Sequence, residues 1–162
     1  MTVDVGDKIP AAELLRVGAD GPETVAMPEY VAGRKVVIFA LPGAYTGTCT
    51  TAHVPSFMRV MDDLKDKGVD EVICLSVNDP FVMDAWGAST GAAAAGITFL
   101  ADASGAFAKG MERVLDAPAV GLHGRSLRYA MVVDDGAITL IHDDENPGVC
   151  DMSGGEAVLA AL

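Results

Sequence analysis

Lys35–Ala40 reads Lys-Val-Val-Ile-Phe-Ala, and after its first residue it has no polar side chain to turn toward water. A β-branched and aromatic run of this kind is a strand buried on both faces, so the sheet that holds it needs cover on each side. Gly33 precedes it and Pro42-Gly43 closes it. Glu71–Val77 is a second run of the same kind. Between the two, Val54, Phe57, Met58, Met61 and Leu64 recur at three- and four-residue steps, which predicts one helix from about Thr48 to about Gly68. Strand, helix and strand in that order constrain the chain to an α/β layout.

The remaining segments extend this pattern. Leu14–Val17 and Thr24–Ala26, separated by Gly18, Asp20, Gly21 and Pro22, predict a small N-terminal hairpin. Asp79 and Pro80 form an N-cap and first turn for a helix over Phe81–Ala88. Ile97–Leu100 is a short strand, and Ala106–Val114 a helix after the turn residues Asp102, Ser104 and Gly105. Tyr129–Val133 and Ala137–Ile141 flank Asp134-Asp135-Gly136, whose Asp-Gly pair is a hairpin turn signal. Ser153 is positioned to cap a last helix that packs Val158, Leu159 and Leu162. With no repeat, charge block or long linker, residues 1–162 are expected to form one domain. Its order predicts a thioredoxin-like α/β fold: a central mixed sheet, flanked by helices, with an N-terminal hairpin.

The formal net charge of −12 sets such a surface against phosphate backbones and anionic lipid, so nucleic acid and membranes are poor partners. Val36–Leu41, the longest clearly apolar run, is far too short to span a bilayer. Asp4 and Asp7 do not suit a signal peptide. Cys49, Cys74 and Cys150 are three sparse cysteines without a CxxC pair, which excludes a disulfide scaffold and a paired-cysteine zinc site. The expectation is a cytoplasmic protein.

Cys49 stands where a buried strand gives way to the first turn of a long helix. Unpaired N–H groups at a helix N-terminus carry partial positive charge and stabilise a thiolate. Position alone also allows a small hydrophobe that closes the helix onto the sheet. His53, four residues on, shares a helix face with Cys49. A metal would need more ligands than this pair, and no acidic or thiol partner lies near in sequence, so none is expected. Gly87-Ala88-Ser89-Thr90-Gly91 has the letters of a nucleophile elbow, but a helix precedes it where that motif needs a strand. Asp143-Asp144-Glu145 lacks the spacing and glycine of a calcium loop. His123 and His142 have no motif context.

Pro42-x-x-x-Thr46-x-x-Cys49 resembles the signature that peroxiredoxins carry around their peroxidatic cysteine. Its flanks Val37–Phe39 and Thr50–Pro55, the stretch Gly68–Met83 and Arg128–Val133 are similar to the peroxiredoxin-5, or plant type II, group. The similarity runs over essentially the whole chain. Gly47 and Tyr45 depart from it, where the group usually has Pro and Phe. The resemblance implies a thiol peroxidase without metal, haem or flavin. Cys49 would attack hydrogen peroxide or a small alkyl hydroperoxide and become a sulfenic acid. Pro42 would shield the sulfur, Thr46 would hydrogen-bond both sulfur and peroxide, and Arg128 would supply a permanent cation. Arg125 is expected to be a surface or loop arginine, beside the glycine-rich Gly121-Leu122-His123-Gly124 insertion. His53 is expected beside the pocket.

Cys150 follows the mobile-looking Asn146-Pro147-Gly148 turn and matches the place where animal members carry a resolving cysteine. Cys74, mid-strand, is the second choice and otherwise a buried, inert thiol. Thioredoxin, glutaredoxin or glutathione would be the reductant, and a homodimer formed through loops near the site is implied. Two other classes stay open on the residues: a slow peroxide sensor or holdase, and a binding module with an ordinary Cys49.

Overall fold

In the computed structural model, which describes residues 3–162, the chain begins with β1 (Glu13–Gly18), β2 (Gly21–Ala26), α1 (Met27–Val31) and β3 (Lys35–Ala40). A π-helical turn (Cys49–His53) leads into α2 (Val54–Met58), α3 (Met61–Asp66), β4 (Glu71–Ser76) and α4 (Pro80–Ser89). Then come β5 (Thr98–Ala101), α5 (Ala106–Gly110), β6 (Val114–Ala117), a 3-10 turn (Pro118–Val120) and β7 (Leu122–Ser126). The hairpin β8 (Tyr129–Asp134) and β9 (Ala137–Asp143) and the helix α6 (Gly155–Ala160) complete it.

Seven strands form one sheet in the order β2-β1-β5-β4-β3-β8-β9. β3, β4 and β5 run parallel, while β8 is antiparallel to β3, β9 to β8, and β1 to both β2 and β5. This is the expected mixed sheet with the N-terminal hairpin at one edge. β3 is buried on both faces. Val37 and Phe39 pack with Val54, Phe57, Leu64 and Trp86, and Val36 and Ile38 with Leu14, Met27, Phe107 and Met131. No helix among the described residues is long and apolar enough to cross a membrane.

This topology positions one place above all others. Ala40, last in β3, pairs with Tyr129, first in β8. The loop leaving β3 therefore emerges beside the residue that enters β8, which is Arg128.

Three expected elements differ. The single helix over 48–68 is a π turn, then α2, then a break at Arg59–Val60 before α3. The Val54 N–H reaches back to the Cys49 carbonyl, an i→i−5 bond, and Pro55 has no N–H to continue the ordinary ladder. The helix expected over Ala106–Val114 stops at Gly110. Glu112 turns left-handed with φ 58°, and the bonds Glu112 N–H to Lys109 O and Arg113 N–H to Ala108 O close a Schellman cap. Val114 then starts β6, which pairs with β7, so part of the expected glycine-rich loop is a two-stranded ribbon. Ser153 does not cap α6. Gly154 occupies the N-cap without a side-chain bond, and the Ser153 hydroxyl turns to Asp144. The Asp79 cap forms as expected, accepting from the Val82 N–H at 2.8 Å.

Candidate active site

The chain leaves β3 through Leu41, whose N–H donates to the Leu75 carbonyl, and enters a loop held by neighbours on both sides. The Ala44 N–H donates to Asn78 Oδ1 at 3.0 Å, and that oxygen is itself held by the Ser76 hydroxyl. Tyr45 takes a left-handed φ of 66° and turns the chain toward the helical segment that contains Cys49. The Cys49 side chain is fully buried.

Arg128 meets Cys49 there. Its Nη2 donates to Cys49 Sγ at 3.1 Å, Nη1 to His53 Nδ1 at 2.9 Å, and Nε to the Pro147 carbonyl at 3.2 Å. The guanidinium side chain is buried, and among the described residues no carboxylate pairs with it. A buried cation without a counter-charge costs several kcal/mol. A thiolate on Cys49 supplies that charge at hydrogen-bond distance. The pair can therefore hold an ionised sulfur away from bulk water.

His53 keeps this arrangement neutral apart from that pair. Burial, and then the Arg128 charge, push its pKa down to about 3. Because Arg128 donates to Nδ1, the ring proton sits on Nε2 and is donated to the Ser153 carbonyl at 2.9 Å. Phe39 and Phe57 lie against the imidazole ring. Between about pH 6.5 and about pH 3 the unfolded chain binds a proton here that the folded chain refuses, so stability rises with pH across that window. The expected result is a loss of about 2 kcal/mol of unfolding free energy from this residue between pH 7 and pH 5. Urea unfolding at the two pH values checks it, because His53→Gln should lose markedly less.

Thr46 departs from expectation. Its hydroxyl donates to the Gly43 carbonyl at 2.7 Å, because the turn at Tyr45 brings that carbonyl beneath it, and no bond to the Cys49 sulfur forms. Its oxygen lone pairs remain as acceptors. Pro42 is buried in the loop that follows β3. A cavity of about 300 Å³ opens here, lined by Pro42, Thr46, Thr48 and Arg128 and, from the β6–β7 ribbon and its turn, by Leu115, Val120 and Leu122.

Arg125 also departs from expectation. From β7 it reaches across to the Pro42 carbonyl at 3.2 Å. A Cβ at Gly43 would lie 2.6 Å from Arg125 Nη1, so the approach needs glycine there. Arg125 was legible only as a neighbour of Arg128 in sequence, since the β6–β7 ribbon that aims it was not expected.

The other two thiols occupy different settings. Cys74 is fully buried in β4, paired in register with Phe39, and burial pushes its pKa well up. Cys150 is half-buried and burial raises its pKa too. It borders a separate cavity of about 450 Å³ with Thr51, Ser56, Arg59 and Glu156. All three cysteines are unbonded. The turn before Cys150 is not loose, as its sequence suggested. The Thr48 hydroxyl donates to the Gly148 carbonyl at 2.7 Å, and Arg128 holds Pro147. His123 is exposed, His142 bonds the Met152 carbonyl, and Ser89 ends α4 with its hydroxyl on the Trp86 carbonyl. No group of three or more His, Cys, Asp or Glu among the described residues could hold a metal ion.

Comparison with known proteins places the chain in a wider set. The Redoxin family model matches residues 4–159. Peroxiredoxin-2E-2, chloroplastic, of Oryza sativa subsp. japonica is 42% identical over 99% of this chain and 73% of its own length. Peroxiredoxin-2D of Arabidopsis thaliana is 40% identical over 99% of this chain and 98% of its own. Among solved structures, reduced Prx3 from Vibrio vulnificus in complex with H2O2 superposes with a TM-score of 0.91 at 38% identity, covering 99% of this chain and 96% of that one.

Proposed function

The chain belongs to the redoxin family, in the peroxiredoxin-5 or plant type II group of peroxiredoxins, and from that premise we propose that Cys49 is the sulfur that attacks the peroxide. The protein is a thiol-dependent peroxidase: peroxide is its substrate and a thiol its reductant. A slow sensor or holdase on the same fold is not favoured.

The observation that carries the Cys49 reading is the 3.1 Å contact from Arg128 Nη2 to its sulfur. The thiolate attacks one peroxide oxygen and the O–O bond breaks. The departing oxygen leaves as water or alcohol after taking a proton, and Cys49 becomes a sulfenic acid. Negative charge moves from sulfur to the departing oxygen during the attack, and a fixed guanidinium stabilises it at both ends without rearranging. Pro42 keeps bulk water off the sulfur. Thr46, its proton committed to Gly43, offers lone pairs to a peroxide O–H. His53 does not touch the reacting atoms and instead holds Arg128 in place.

Cys150 is our choice as resolving thiol. Its sulfur displaces hydroxide from the sulfenic acid, forming a disulfide and releasing water, and an external thiol reduces that disulfide. Cys74 is pinned in β4 and is not suited to this step. Thioredoxin, glutaredoxin and glutathione are the candidate reductants. We further propose that residues 1–162 act as one domain, and that a homodimer forms through the exposed Tyr45 in the loop after β3, Phe81 in the first turn of α4 and Val120 in the 3-10 turn between β6 and β7. A cytosolic setting suits three unbonded thiols.

Intact-mass analysis after one equivalent of peroxide tests the assignment. Wild type and Cys74→Ser should each lose two hydrogens as a disulfide forms. Cys150→Ser should instead gain one oxygen. If Cys74→Ser is the variant that stops at the sulfenic acid, the choice of Cys150 is wrong.

A further inference from the structure

Asp144 lies just beyond β9, outside the peroxide cavity, yet its carboxylate gathers an unusual number of donors. Oδ1 accepts from the Met152 N–H at 2.7 Å, the Asp151 N–H at 3.2 Å and the Ser153 N–H at 3.4 Å. Oδ2 accepts from the Ser153 hydroxyl and, at 3.3 Å, from the Asp151 N–H. Its own backbone N–H donates to the Arg128 carbonyl at 3.2 Å. One side chain thus closes the whole segment 144–153 into a loop.

That loop holds the guanidinium from two directions. Pro147, near its start, accepts from Arg128 Nε. Ser153, at its end and fully buried, accepts from His53, which in turn accepts from Arg128 Nη1. With Nε and Nη1 taken, Nη2 is left to face the Cys49 sulfur. The bonds from Ser153 through His53 and Arg128 to the Cys49 sulfur run from 2.9 to 3.1 Å, and the imidazole in the middle packs against the stacked rings of Phe39 and Phe57.

We propose that Asp144 is a positioning residue for the peroxide step, acting through Ser153 and His53 to aim Arg128 at Cys49. The inference rests on the reading of Cys49 as the attacking sulfur. Asp144 touches neither substrate nor sulfur. It fixes the carbonyl of Ser153, the carbonyl fixes the tautomer and tilt of His53, and the imidazole fixes the guanidinium plane. Loosening the loop therefore weakens support for negative charge on Cys49 while leaving the cavity walls from β6 and β7 in place.

The test uses a Cys74→Ser, Cys150→Ser background, so that iodoacetamide reports on Cys49 alone across pH. Asp144→Ala should move the alkylation profile to higher pH and lower the second-order rate with hydrogen peroxide about tenfold, the equivalent of roughly one pH unit. Asp144→Asn, which keeps an oxygen for the Met152 N–H, should restore part of both. Glu145→Ala, which removes the neighbouring exposed carboxylate, should change neither. Thermal unfolding shows whether each variant is folded at the assay temperature. Should Asp144→Ala fail that check, Asp144→Asn and Ser153→Ala carry the test, with the same shifts in smaller size. An alkylation profile that superposes on the parent overturns the inference, as does a fall in rate without a shift in profile. A parent profile with no acidic step would instead remove the reading of Cys49, and the inference with it.

Discussion

Cys49→Ser is expected to reduce peroxide consumption to background. A serine hydroxyl fits the same space, but it is not appreciably ionised near neutral pH, so the attacking group is lost while the fold is kept. The change also removes the counter-charge from the Arg128 guanidinium, which has no carboxylate partner among the described residues. Steady-state peroxide consumption with a dithiol reductant measures this, and turnover above a trace would sink the assignment.

Arg128→Ala has the next largest expected effect. A hydrogen bond to a charged group is worth about 1.5–3 kcal/mol, which corresponds to a loss of roughly 10- to 150-fold in kcat/KM. The upper part of that range is expected, because the substitution also leaves His53 Nδ1 and the Pro147 carbonyl without their donor. Arg125→Ala should cost much less. Arg125 binds the Pro42 carbonyl and does not touch the sulfur, so its bond is not strengthened as charge moves in the transition state. Equal losses at the two positions would mean that the wrong arginine has been placed against the sulfur.

The sequence reading of these elements succeeded where burial alone dictates structure. Lys35–Ala40 has no polar alternation, so only a strand covered on both faces suits it, and its bounds match the structure. The hairpin at Asp135-Gly136 followed from turn chemistry. Where the reading fell short, backbone detail outweighed periodicity. The apolar spacing from Val54 to Leu64 describes a helical face, and a face of that kind persists across a π turn and a break. Glu112 closes α5 in a left-handed conformation that usually signals its position with glycine, so nothing in the residue type announced the stop. Of the site, Pro42, Thr46 and Cys49 could be named in advance from the motif, His53 from its four-residue spacing after Cys49, and Arg128 from the wider resemblance. The routing of Thr46 to Gly43, the reach of Arg125 and the hub at Asp144 could not. Each depends on contacts between segments far apart in the chain, set by the pairing of Ala40 with Tyr129 and by the fold of the loop after β9.

The complete burial of Cys49 also ranks oxidants and electrophiles by size as well as by strength. A two-oxygen molecule can enter where a folded protein, a peptide thiol or a bulky aromatic disulfide cannot. Cys150, only half-buried and beside its own opening, faces the reverse selection. The order in which the two thiols react is thus a property of the reagent as much as of the sulfurs. A large thiol probe reports the sulfur with the weaker charge support as the more reactive one, and a small oxidant reports the opposite. Such a protein can pass unnoticed among bulky electrophiles and still intercept the smallest oxidants first.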